Sequence, residues 1–234
     1  MAIVQTSQQR TYLQTDEYLE DISEFVSESE PLHTCTIRSL RHHNRLHLRR
    51  EIVSYDLTYL LGGLFMDIGN KFLHVREAFD RGDTVRIMQV VEQCKHFIVG
   101  DYAFPAIEPQ SDEDFYQFTI SPESTGEGKF HGSLLDFVAD PSSKSVDDVA
   151  LGGYGLIMIQ DVGTLTSIEL KYVSSGAAYR LTVSDPAEGI HVGQLLTNGG
   201  ASVPRTRPAG LMTLTPQPSN ATYEARIGYG QKFI

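Results

Sequence analysis

The sequence predicts an α+β protein, with an N-terminal helical segment over 12–104, a linker at 105–114 and an antiparallel β domain over 115–234 built as a sandwich, jelly roll or barrel. Three observations carry this. Apolar residues of the first half recur at the helical spacing of three and four. The second half holds eight short β-prone runs separated by turn residues. Composition changes where the halves meet, since only five of the 20 glycines and three of the ten prolines precede residue 114.

The helical segment opens at Thr15, a residue type that caps helix N-termini. Tyr18, Leu19, Ile22, Phe25 and Val26 follow on one face, with carboxylates between them, and Pro31 ends the run. Leu57, Leu61, Leu64, Ile68, Phe72, Val75 and Phe79 form a second stripe, interrupted by Gly62-Gly63 and Gly69. Each glycine costs roughly 1 kcal/mol against alanine inside a helix. Gly82 closes this stripe in the left-handed conformation, and Asp83 caps a third run carrying Ile87, Met88, Val91, Cys94 and Ile98. The last two runs make an αα-hairpin.

The segment 105–114 joins two prolines to an acidic run and reads as an exposed linker. Beyond it, strands are expected at 115–120, 130–139, 154–160, 166–174, 177–184, 190–197, 211–215 and 222–229. Alternation is cleanest in Ile168, Leu170, Tyr172 and in Tyr179, Leu181, Val183. Between these lies Ser174-Ser175-Gly176-Ala177, the strongest hairpin signal in the chain.

The 234 residues carry 19 basic and 30 acidic side chains, a net charge of −11. That balance counts against a general nucleic-acid binder, which gains affinity by replacing counterions with Lys and Arg. The distribution is uneven: residues 31–107 hold ten basic and eight acidic groups, whereas 1–30 hold one and seven, and 108–234 eight and fifteen. No apolar run reaches the ~20 residues of a spanning helix, and the start lacks the pattern of a secretory signal. A soluble, cytoplasmic protein is expected, or a virion protein if the source is viral. Cys35 and Cys94 are expected to be buried thiols, too few for a disulfide framework.

The densest chemical feature is 38–50, where Arg38, Arg41, Arg45, Arg49 and Arg50 fall within thirteen positions. On a helix the first four share one face. Arginine's planar fork grips carboxylate or phosphate through two parallel bonds, so this stretch is the candidate anion- or partner-binding surface. Arg205 and Arg207, in a long Gly/Pro-rich connection, are a second one. His43, His47 and Glu51 have a metal-like i, i+4, i+8 spacing, but the neighbouring arginines oppose a dication and no metal is expected. His131-Gly-Ser133 resembles one element of the two-histidine phosphoesterases. The second element is missing, because His33-Thr34-Cys35-Thr36 misplaces its hydroxyls. Gly126–Lys129, Gly152–Gly155 and Arg81-Gly82-Asp83 read as turns and caps, and no cofactor is expected.

The expectation is therefore a non-catalytic structural or interaction protein that forms oligomers or binds another protein. A virion or phage assembly component is one version, and an inhibitor or immunity protein another. The alternative is a hydrolase or phosphoesterase centred on His131 and the Arg/His-rich segment.

Overall fold

The computed structural model describes residues 9–16, 18–23, 26–40, 49–66, 77–78, 80–103, 106–109, 115–119, 129–136, 143–146, 153–203 and 210–232. In chain order the strands are β1 (Gln9–Gln14), β2 (Leu19–Asp21), β3 (Val26–Leu40), β4 (Arg49–Met66), β5 (Thr84–Val91), β6 (His96–Ala103), β7 (Ala106–Pro109) and β8 (Phe115–Thr119). They continue as β9 (Phe130–Asp136), β10 (Ser143–Val146), β11 (Tyr154–Asp161), β12 (Ser167–Ser174), β13 (Ala177–Ser184), β14 (Gly189–Gln194), β15 (Gly210–Gln217) and β16 (Glu224–Lys232). Two compact units result. One gathers Met1–Ser23, Arg86–Gly100 and Gly128–Lys232; the other gathers Glu24–Val85, Asp101–Glu127 and Phe233–Ile234.

The fold is nearly all β, which corrects the expected α+β class with its N-terminal helical segment. The predicted helix after Thr15 is instead a turn: the Tyr18 amide does donate to the Thr15 hydroxyl at 3.2 Å, as a helix cap would require. But the Thr15 amide also donates to the Tyr18 carbonyl at 2.9 Å, which closes a hairpin between β1 and β2. The 57–79 stripe begins inside β4, and 67–76 lie outside the described residues. Gly82 does take a positive φ of 70°, after a short helical turn. Asp83, however, leads into a strand, and the expected third helix is β5, a turn and β6. In β5, Val85, Met88 and Val90 are buried with Ile87, so both faces of the strand are covered. A strand covered on both faces reads as a continuous apolar run, in which helical spacings occur by default.

Every run expected to be a strand in the second half overlaps a strand, and β10 is an additional one. The turn between β12 and β13 has Ser175 at φ 50° and Gly176 at φ 79°, the paired positive values of a tight hairpin whose twist suits its strands. Ser174 pairs directly with Ala177 across it.

The first unit holds an eight-stranded antiparallel sheet, order β14-β11-β16-β9-β6-β5-β1-β2, and a four-stranded one, order β10-β15-β12-β13. Ile157, Ile159, Ala225 and Ile227 of the large sheet share a core with Ile168, Leu170, Tyr172, Met212 and Leu214 of the small one. This is the sandwich core. Each such large side chain contributes about 1.5–3 kcal/mol on full burial.

On the other face of β11, Leu156 and Met158 join Tyr12, Met88, Val90, Phe97, Val99, Leu134 and Ile190 in a second cluster. All of these come from the large sheet, so the sheet curls around them. Its outer strand β14 is then met by β1 and β5. The Ile190 amide donates to Gln14 Oε1 at 2.7 Å, and Arg86 Nη1 donates to the Ile190 carbonyl at 2.7 Å. Side chains thus close a barrel-like seam and blunt an edge that would otherwise offer free backbone groups.

The second unit holds a four-stranded antiparallel sheet, order β3-β4-β8-β7.

Candidate functional site

The feature that sets the second unit apart is the length of β3 and β4, at 15 and 18 residues. Strands usually run 3–10 residues. β3 and β4 pair from Val26↔Gly63 to Leu40↔Arg49, with irregularities between Val26 and Glu28 and between Thr36 and Ile37. The next strand, β8, pairs only with Gly62–Met66, and β7 follows on β8. Among the described residues, 49–61 of β4 therefore have β3 as their strand neighbour and nothing on the other edge. The result is a two-stranded ribbon standing beyond a four-stranded base.

Register sorts the ribbon's residues by face. Pairs Cys35↔Tyr55, His33↔Leu57 and Pro31↔Tyr59 fall on one side, and Thr34↔Asp56 and Leu32↔Thr58 on the other. Between residues 55 and 59 the first side thus takes Tyr55, Leu57 and Tyr59 of β4, while Leu60, opposite Glu30, falls on the other. The period-two signal was present in the sequence as Tyr55-Asp-Leu57-Thr-Tyr59.

This geometry relocates the predicted arginine surface. Arg38 lies on β3 opposite Glu51, and Arg50 and Arg49 lie on β4 opposite Ser39 and Leu40. Arg38, Arg49 and Arg50 thus lie on strands, at the end of the ribbon far from β8. Arg41 and Arg45 lie outside the described residues, as do His43 and His47 of the metal-like spacing and Arg205 and Arg207. Glu51 belongs to β4. Among the described residues no group of three His, Cys, Asp or Glu side chains could hold a metal ion.

His131 lies on β9 in the first unit. Its Nε2 is 2.9 Å from the side-chain amide of Gln231 on β16, and its ring centroid is 5.9 Å from that of His96 on β6. The cluster therefore bridges three adjacent strands. Ser133, two residues on, makes a side-chain hydrogen bond with Tyr229, whose phenol is pushed up by burial and partly relieved by that bond. Cys94, expected to be buried, is exposed in the β5–β6 turn, with its Sγ 3.8 Å from the Val91 carbonyl.

A charged network holds the same turn to β16. Arg226 grips Glu92 with two bonds, Nη1 to Oε1 at 2.9 Å and Nη2 to Oε2 at 3.2 Å, and Lys95 reaches Glu92 at 2.9 Å. Arg10 stands 3.7 Å from Glu92 and 3.6 Å from Asp21. Burial pushes the Glu92 carboxyl up, but the bonds from Arg226 and Lys95 and their charges outweigh it, and its pKa lies below the ordinary value. A depressed folded pKa means stability present above the unfolded carboxylate range, near ~4.3, and lost as pH falls through the folded value. Thermal melts across acid pH should therefore show a loss that is smaller in the Glu92→Gln variant. Equal acid slopes in both proteins would remove Glu92 from the account.

No protein-family model matches this chain, and no curated protein matches it. Among solved structures, it is similar to the SPP1 Dit (gp 19.1) protein, described as a paradigm of the hub adsorption apparatus in phages infecting Gram-positive hosts. The TM-score is 0.33 at 9% identity, over 96% of this chain and 99% of that one. A likeness of that size assigns neither fold nor role. No helix among the described residues is long and apolar enough to cross a membrane.

Proposed function

We propose that this is a structural protein that self-associates, in which the β3–β4 ribbon makes the contact and the first unit is the rigid body being positioned. A virion or phage particle is the concrete setting proposed for such a part. The observation that carries the reading is the ribbon. A two-stranded hairpin alone in water is marginally stable at best, and strands of 15 and 18 residues become worthwhile when something packs on them. One side of the ribbon gathers Tyr55, Leu57 and Tyr59 by register, the composition of a surface meant to be covered.

Light scattering on the full chain over a range of concentrations tests this. The expected mass is a multiple of 26.0 kDa. A constant 26.0 kDa at every concentration would remove the reading. The alternative reading, a hydrolase at His131, has its own test: loss of a phosphoesterase activity in His131→Ala.

A further inference from the structure

One edge of β4 is held by β3 from Arg49 to Gly63, and the other by β8 from Gly62 to Met66. The open part of that second edge is bounded at both ends. β8 begins at Gly62, while on the far side the register with β3 slips: Thr36 pairs with Ser54 and Ile37 with Ile52, which leaves Val53 as an extra residue on β4. Between these limits Ser54 to Leu61 pair without interruption with Thr36 to Ser29. Among the described residues this is a regular, open strand edge about 25–30 Å long.

The two outer edges of the ribbon are unlike. β3 carries an irregularity near its start, then Glu28, Glu30 and Pro31, and a proline has no N–H to offer a neighbour. Those are the devices that keep an edge from pairing. The stretch 53–61 of β4, Val-Ser-Tyr-Asp-Leu-Thr-Tyr-Leu-Leu, has no proline and one charge, and it is mostly the β-branched, aromatic and aliphatic residues that suit a strand.

The sequence also narrows what can lie on this edge. The residues after Thr119 are outside the described ones, and they carry Pro122, Gly126 and Gly128, which disfavour a strand continued from β8. Among the strands that end a sheet, β2, β7 and β10 have three or four residues. β14 is held at Ile190 by Gln14 and Arg86, and β13 at Arg180 by Leu196. β3 has its proline. The strand that fits in length and composition is β4 of a second copy.

Resting on the reading of the ribbon as an assembly element, we infer that two copies of this chain join by antiparallel pairing of β4 with β4 along 53–61, about a two-fold axis at Leu57. The two limits choose the axis. Val53 of one copy then stands opposite Leu61 of the other, so each strand meets its irregularity where the other copy's β8 begins. Tyr55 stands opposite Tyr59, and Leu57 opposite itself. Register therefore puts the Tyr55-Leu57-Tyr59 sides of both ribbons on one side of the joined sheet, where cross-strand aromatic pairs are favourable. A contact of this kind is isologous and closes at two copies.

Charge placed on the axis tests this in the full chain. Leu57→Lys and Leu57→Glu each set like charges directly opposite one another, and each alone is expected to associate at least tenfold more weakly than the parent. An equimolar mixture is expected to recover association, because Lys then faces Glu. A milder pair of variants is independent of charge: Leu57→Cys, in a Cys35→Ser, Cys94→Ser background, is expected to give a covalent dimer on oxidation. Leu60→Cys in that background is not, since the same register puts Leu60 opposite Ser54. Far-ultraviolet circular dichroism checks that each variant keeps its β-signal, and the cysteine variants decide if a charged one does not. If the parent associates but a folded charged variant associates equally well, or the mixture of folded variants fails to recover, or Leu57→Cys gives no more covalent dimer than Leu60→Cys, the β4 pairing is overturned while self-association stands. A parent that is monomeric throughout overturns both.

Discussion

A fragment spanning 115–234 is expected to keep its sandwich core, to melt more than about 10 °C below the full chain, and to self-associate. The sandwich cluster lies entirely between Ile157 and Tyr229, so the fragment retains every residue of it. It also retains the pairings of β11, β12, β15 and β16. What goes is the other face. Tyr12, Met88, Val90, Phe97 and Val99 leave the second cluster, and Leu134, Leu156, Met158 and Ile190 face solvent. β9 loses β6, with which it pairs from His96↔Ser133 to Val99↔Phe130, and β14 loses Gln14 and Arg86. An opened strand edge beside exposed apolar residues is a template for association. A loss of a few kcal/mol moves the melting point by roughly 3–5 °C per kcal/mol in a chain between these sizes. Amide exchange should show β12, β15 and β16 protected, with a cooperative melt. Absence of that melt would mean the N-terminal strands are required for the sandwich itself.

Leu170→Ala is expected to destabilise the protein by about 2–5 kcal/mol, the range for emptying a leucine site in a close-packed core. Leu170 is 0% exposed and lies in the sandwich core. Its packing depends on a glycine: a Cβ on Gly155 would sit 2.9 Å from Leu170 Cδ2 and 3.2 Å from Leu195 Cδ2. Gly155 pairs with Gly193 on β14, where an added Cβ would meet Leu181. Two glycines thus clear the space that three leucines fill. Gly155→Ala alone should be destabilising by roughly 1–3 kcal/mol through overpacking. Combined with Leu170→Ala, the new methyl enters the void, and the double variant should be more stable than the sum of the single losses by ~1 kcal/mol. Denaturant melts of the four proteins decide this. Strict additivity would show that Leu170 and Gly155 do not share the space.

The β half was legible because its strands are bounded by turn chemistry and several alternate openly. In β12, Ile168, Leu170 and Tyr172 are buried and the residues between them are less so, which is the pattern visible in the letters. The N-terminal strands were not legible for two physical reasons. In β5 both faces are buried, so alternation is erased. At Thr15, a side chain that caps helices makes its capping bond inside a two-strand turn, because the local bond is the same in both structures. The arginine cluster is visible in the letters, but the strands that carry Arg38, Arg49 and Arg50 are not, because the spacing of three and four also suits a helix. The competing signal, alternating Tyr55, Leu57 and Tyr59, sat a few residues away.

By itself, then, the sequence determined the local quantities: the net charge and its division along the chain, the arginine concentration at 38–50, and strands wherever alternation met Gly-rich turns. These depend on a residue and its near neighbours. The tertiary structure alone decided what depends on partners distant in the chain. Gln14 and Ile190, 176 residues apart, close the seam, and Arg226 reaches Glu92 across 134 residues. Likewise, whether β4 is a helix stripe or half of a long ribbon turns on β3 lying beside it in register from Val26 to Leu40. A strand's backbone groups, unlike a helix's, are not satisfied within its own segment, so its identity depends on the partner beside it as well as on its own residues.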